Sequence, residues 1–208
     1  MLEGEPRSYG RTRDRVLEAS RELLAEGGVD GLTIDGVSAR SGVAKTTIYR
    51  HWRSKEDLAL AVLLEMTEQV VEVPELGNTR AEFVALIERV IDILDTTLMG
   101  QVMKGLVSDL ATDPSLAQAF RERVVALRLK EIRHLIARGA ERGDLRPDAD
   151  AELLHDVLFG AVYHRLLLSG RTLDETYAEQ VVDSVLGGLD PKNQPGPPAT
   201  RSGSRSGR

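Results

Sequence analysis

The 208 residues include no cysteine, which excludes a disulfide framework, thiolate chemistry and any zinc site built on cysteine. Aromatic residues are few, with one Trp, four Tyr and three Phe, while Leu, Ala, Glu and Arg abound. That balance favours helices over strands. No apolar run is free of charge. The longest, Leu153 to Leu168, carries His155, Asp156, His164 and Arg165, so it does not read as a membrane span. The opening MLEGEPRSYGRTRDR has no apolar segment of the secretory kind, and a cytoplasmic protein is the expectation. Proline is missing from helix interiors: four of the eight lie beyond Asp190, and those at 6, 74, 114 and 147 fall where helices begin or end. No Ser-His-Asp set and no glycine-rich phosphate loop appears, so neither an enzyme nor a cofactor is expected. One further lack is local. From Gly36 through Lys55 there is no Asp or Glu.

That acid-free run overlaps the most informative stretch, TIDGVSARSGVAKTTIYRHWRSK, Thr33 to Lys55. Ile34 and Val37 fit one short helix, and Ile48 and Trp52 a second, with Ser41-Gly42 between them. Two short amphipathic helices joined by a tight turn with Gly are the sequence form of a helix-turn-helix. Gly42 supplies the positive φ that ends the first helix. Val43 tucks beneath the turn, and Lys45, Thr46, Thr47, Tyr49, Arg50 and His51 are left on the face the core does not use. Arg40, Lys45, Arg50, Arg53 and Lys55 make the run basic within a chain of formal charge -6, the footprint of a phosphate contact. Residues 1–55 hold ten basic and eight acidic side chains, whereas 56–190 hold 13 and 25. A basic head on an acidic body orients the head toward DNA.

The run GVAKTTIYRHWRSKEDL, preceded by GGVDGLTIDGVSARS, resembles the DNA-binding domain of the TetR/AcrR family of transcriptional regulators. The resemblance covers roughly residues 11 to 70. The later stretch YHRLLLSGRTLDETYAEQVVDSVLGGL resembles one of the family's regulatory-domain subtypes. It implies a homodimeric repressor that binds a pseudo-palindromic operator in double-stranded DNA and is released by a small-molecule effector of unknown identity. Lys45, Thr46 and Thr47, at the N-terminal end of the recognition helix, are the candidates for base edges. Tyr49, His51 and Lys55, with Thr33 on the flank, are the phosphate contacts that the resemblance implies, and Arg50 suits either role. Two positions depart from the common family pattern. Gly36 lies inside a helix, at about 1 kcal/mol relative to Ala, and Ala44 stands where a capping Ser is frequent.

Read in order, the fold class is all-α: a three-helix helix-turn-helix domain followed by a helical regulatory and dimerisation domain, about nine helices in total. Residues 1–10 form a flexible arm and 11–53 the DNA-binding domain, with a first helix from about Thr12 to Glu26 stopped by Gly27-Gly28. Residues 54–71 form a linking helix opened by Ser54 and Asp57. Residues 72–190 form the effector-binding and dimerisation domain, with helices at about Thr79 to Leu98, Gln101 to Ala111, Pro114 to Arg142, 148 to Ser169 and Asp174 to Leu186. The Pro-, Gly-, Ser- and Arg-rich segment 191–208 reads as a disordered tail.

The helix near 149–169 is apolar around almost its whole circumference, and such a helix is buried on two sides. One side faces the core and the other a second subunit. Leu158, Val162 and His164, with Tyr177, Val181 and Val185 of the last helix, are the expected dimer interface. An effector pocket is implied by the resemblance alone, and Met66, Met99, Met103, Phe120 and Phe159 are its candidate lining. Glu131-Ile-Arg-His134 and Glu152-Leu-Leu-His155 form two Glu-x-x-His pairs, half of what a di-iron carboxylate bundle requires. Their side chains fall on different helix faces, so no metal is expected. A sequence-indifferent nucleoid-like protein and a di-metal enzyme remain the alternative functions.

Overall fold

A computed structural model describes the backbone of residues 5–68 and 73–187, and the side chains of residues 10–67 and 73–187. Among the described residues every regular element is helical. The expected tail at 191–208 and the end of the linking helix near Val71 lie outside them.

The backbone is helical from Glu5, ahead of the start expected at Thr12, so α1 (Glu5–Gly31) takes up six of the ten residues read as an arm. Gly27-Gly28 does interrupt it: Gly28 adopts φ 62° and ψ -161°, which is not helical, so the first helix ends there and a short helical piece runs on beyond the kink to Gly31. Without a Cβ, glycine makes that excursion at no steric cost. α2 (Ile34–Ser41) starts where Thr33 Oγ1 accepts the Gly36 N–H at 3.0 Å. It ends at Gly42, φ 66°, whose N–H reaches the Ser38 carbonyl at 3.0 Å. The turn satisfies its own polar groups: Ser38 donates to the Val43 carbonyl (2.8 Å), and the Ser41 hydroxyl accepts from the Val43 N–H (3.2 Å). α3 (Lys45–His51) follows, with Ala44 offering no side-chain cap. α4 (Lys55–Glu68) opens with Ser54 accepting from the Asp57 N–H and Asp57 accepting from the Arg53 N–H. Val16, Leu17, Leu24, Val37, Ile48 and Leu58 close the core of this head.

The body comprises α5 (Thr79–Thr96), α6 (Leu98–Thr112), α7 (Pro114–Phe120), α8 (Ala126–Arg142), α9 (Ala151–His164) and α10 (Glu175–Leu186). A π-helical turn, Arg121–Val125, joins α7 to α8 as one rod, so the described residues form nine rods. A second π turn, Arg165–Ser169, extends α9 to Gly170. The break between α5 and α6 is tighter than Leu98-to-Gln101 spacing predicts, because Thr97 caps α6 by accepting the Met99 N–H at 3.2 Å. Near the start of α5, Glu82 is wholly buried. It accepts from both Nη atoms of Arg142 (3.1 Å each) and from the Leu76 N–H (3.1 Å), with Arg138 also at 3.1 Å. This carboxylate ties α5, α8 and the segment after the head into one unit.

Head and body meet along α1, α4 and α6. A Cβ at Gly105 of α6 would stand 2.5 Å from a methyl of Val29, so only glycine permits this approach. Lys55 Nζ donates to the Val29 carbonyl at 3.1 Å, bringing the start of α4 to the same point.

Burial divides the residues expected at a dimer interface. Leu158, Val162 and Val181 are buried within the single chain and pack the protomer's own core. Tyr177 and Val185 are half-buried; Tyr177 donates to the Ala161 carbonyl at 3.0 Å beneath the guanidinium of Arg165. The helix does have two apolar faces, but the outward one carries Leu153 (61% exposed), Val157 (43%), Gly160, His164 and Leu168 (77%). An apolar pattern spread evenly around a helix does not say which residues turn inward.

Candidate nucleic-acid interface and interior cavity

α3 is short and set by two anchors, Ile48 buried and Trp52 half-buried just beyond its end. That orientation exposes Lys45, Thr46, Tyr49, Arg50 and His51 together, with Thr47 half-buried at their base and Thr33 exposed at the start of α2. His51 meets Trp52 edge to face at 5.8 Å.

The basic run is divided by its neighbours. Arg40 turns back onto α1, where its guanidinium bridges both oxygens of Glu26 (2.8 and 3.1 Å) with Glu22 at 3.5 Å. This hydrogen bonding holds the Glu26 carboxyl below the ordinary carboxylate range. Arg40 therefore leaves the footprint, through acids that lie outside the run that defined it. Arg53 is likewise held, by Asp57 and by Ser115 of α7. Lys45 pairs with Asp35 at 2.6 Å, but both are exposed, and such a pair contributes little and exchanges readily for a phosphate. Lys55 is half-buried on the Val29 carbonyl, which uses one of its three donors. Arg50 makes no hydrogen bond or ion pair among the described residues and is exposed.

Inside the body lies a cavity of about 20 Å³, room for about one water molecule. Its wall comes from α4 (Leu63, Thr67), α5 (Val90, Ile93, Leu94), α6 (Met99, Met103), the π turn and α8 (Val124, Arg128) and α9 (Phe159, Tyr163). Of the expected lining, Met99, Met103 and Phe159 are in place. Met66 and Phe120 are half-buried and do not reach the cavity. Thr67 also borders an open crevice between head and body, which Arg13, His51, Trp52 and Arg123 line.

The residue that sequence reading missed is Arg128, 5% exposed, in a cavity otherwise walled by apolar side chains, Thr67 and Tyr163. Its sequence signal was present: Arg128 interrupts the stripe Val124, Ile132 and Leu135 on the inward face of α8. Arg128 Nη1 donates to Glu131 Oε2 at 2.8 Å, and Arg89 lies 3.5 Å from the other carboxylate oxygen. Burial lowers the Arg89 pKa, with Glu131 opposing the shift and Arg128 adding to it. Burial raises that of Tyr163, opposed by Arg128, so the phenol stays protonated.

Glu131 is thus committed to arginines. Its motif partner His134 is exposed, His155 stacks on Phe159 at 4.8 Å between ring centres, and Glu152 faces Arg133 at 3.7 Å. Among the described residues no three His, Asp or Glu side chains gather as metal ligands. No described helix is long and apolar enough to cross a membrane.

Comparison with known proteins addresses both regions. Residues 16–62 match the family described as "Bacterial regulatory proteins, tetR family", and residues 73–185 match "Tetracyclin repressor-like, C-terminal domain". An uncharacterized HTH-type transcriptional regulator of Bacillus subtilis, YdeS, is 30% identical across 89% of this chain and 93% of its own length. The DNA-binding transcriptional repressor TetR of Mycobacteroides abscessus is 31% identical across 85% and 93%. Among solved structures, the TetR family transcription regulator SCO0332 superposes with a TM-score of 0.73 at 35% identity, covering 86% of this chain and 99% of that one. FadR of Bacillus subtilis in complex with stearoyl-CoA shares the fold at 18% identity and a TM-score of 0.63, over 84% and 97%.

Proposed function

The chain belongs to the TetR family of bacterial transcriptional regulators, and from that premise we propose that it is a repressor, binding a pseudo-palindromic operator as a homodimer and leaving it when a small molecule enters the body cavity. The observation that carries this reading is the double role of α4. Near its first residue Lys55 is fixed to the head, while Leu63 and Thr67 form part of the cavity wall. The two ends are twelve residues apart, about 18 Å along a helix. A cavity of 20 Å³ admits no organic ligand without swelling, so a ligand must displace part of its wall, to which α4 contributes Leu63 and Thr67. Met99 and Met103, flexible and unbranched, accommodate such a change.

At the other end, α3 enters the major groove. Lys45, Thr46 and Thr47 meet base edges, while Arg50, Tyr49, His51, Thr33 and the spare donors of Lys55 meet phosphates. The outward face of α9, from Leu153 to Leu168, packs against its copy in a second protomer and sets the spacing of the two heads. Such a regulator works in the cytoplasm, where its operator is. The test is binding to the DNA upstream of its own gene against a scrambled duplex of equal length, over a range of salt. A specific repressor prefers its site by about 10³–10⁷. Equal affinity for both duplexes would establish a sequence-indifferent, nucleoid-like protein instead.

A further inference from the structure

We propose that the ligand of the body cavity is an apolar monocarboxylate, its carboxylate accepting hydrogen bonds from Arg128 and Tyr163 and its carbon skeleton lying along Leu94, Met99, Met103 and Phe159. The inference rests on the ligand-release reading and adds the ligand's chemistry. Arg128 is the one charged group in the cavity wall among the described residues. It is nine-tenths buried, and its one hydrogen bond among them goes to Glu131, although a guanidinium carries five N–H donors. Glu131 is itself shared with Arg89, so one carboxylate stands between two guanidinium groups and the cluster keeps a net positive charge. Tyr163 adds a protonated phenol with no hydrogen-bond partner among the described residues, one turn along α9 from the stacked Phe159.

A buried cation facing an apolar cavity discriminates strongly. A cationic ligand is repelled. A neutral ligand leaves the charge uncompensated. A phosphate ester brings more negative charge than a single net cation balances. A single carboxylate matches in charge and, with a planar guanidinium, in shape. The remaining wall, aliphatic apart from two rings, matches in chemistry a hydrocarbon chain or a substituted ring once the cavity has swollen, and no further polar group beyond Thr67, whose hydroxyl is already bonded to the Leu63 carbonyl.

The test uses two matched pairs on the full chain, decanoate with 1-decanol and 4-butylbenzoate with 4-butylbenzyl alcohol. Affinity is measured by titration calorimetry, and operator release by fluorescence anisotropy of a labelled duplex. Each acid is expected to bind at least about tenfold more tightly than its alcohol, as a charge-assisted hydrogen bond dictates. Arg128→Met brings that ratio toward one while preserving alcohol binding, and Arg128→Lys restores part of it. Tyr163→Phe lowers the ratio severalfold and, by removing only a hydroxyl, keeps the test open should Arg128→Met not fold. Alcohols that bind as tightly as acids, or an acid preference that survives in Arg128→Met and Tyr163→Phe alike, overturn the carboxylate inference. If those alcohols still release the operator, the ligand-release reading stands without it. If neither member of either pair binds, the carboxylate inference and the cavity's role in release fall together.

Discussion

Head and body use the same residue, arginine, in opposite ways. In the head, Arg40 and Arg50 stand at the surface, one clasped by Glu26 and the other exposed and unpaired among the described residues. In the body, Arg128 is buried on Glu131, and Arg138 and Arg142 converge on a carboxylate with no exposure at all. Exposed pairs contribute little, so either head arginine can be freed at little cost to the fold. Buried pairs are costly to break, because removing one partner strands the other charge. Counting charges along the sequence locates the head, but it does not distinguish a cation that is available from one that is fixed.

The contrast is most severely tested at the α9 surface, where a change in the body should disable the head. Val157→Glu is expected to yield a monomer in ultracentrifugation and to lower operator affinity by about 10²–10⁴, the avidity lost when two heads no longer dock together. Its folding should be unaffected, since Val157 is already 43% exposed. A Val157→Glu protein that remains dimeric would move the interface off this face.

Next in size is the buried carboxylate. Glu82→Ala should cost about 3–5 kcal/mol in denaturant unfolding, because two guanidinium groups lose their shared partner. Glu26→Ala, which frees an exposed arginine, should leave the midpoint where it was. Similar losses in both would erase the distinction between the two regions.

Within the head, Thr47→Ala should weaken operator binding by about 1–3 kcal/mol and leave random DNA almost unaffected, as loss of a base-edge contact does. Equal losses on both duplexes would reassign Thr47 to the backbone. The smallest effect separates two arginines ten residues apart. Arg50→Ala should reduce the slope of log affinity against log salt by about 0.9, the contribution of one phosphate, and Arg40→Ala should leave it unchanged.

What the sequence disclosed were features carried by neighbours in the chain. Thr33 caps α2, Gly42 takes the left-handed turn, and Ser54 with Asp57 opens α4, all within a few residues of the partners they bond. Ile48 and Trp52 likewise orient α3 from their spacing alone. What stayed hidden depended on distant partners. Arg40 reads as a DNA contact until α1 brings Glu26 beside it, and Arg128 reads as a break in a stripe until α5 supplies Arg89 and α9 supplies Tyr163. Leu158 and Leu153 differ by five positions in a helix whose pattern is apolar all round, so only the packed neighbours reveal that one faces inward and the other out. Gly27-Gly28 announced the end of the first helix correctly, but not the short helical piece that runs on from the kink to Gly31.

The contact between Val29 and Gly105 has a mechanical consequence. A single added carbon on α6 would already overlap the α1 side chain, so the joint has no clearance. Gly105 follows Met103 by two residues on the same rigid rod, and Met103 borders the cavity. Pressure on that side chain from within therefore reaches α1 without slack to absorb it. Val29 also holds Lys55 by its carbonyl, so displacements arriving along α6 and along α4 converge on one residue. On the ligand-release reading, the head is geared to the cavity through two shafts that share a bearing.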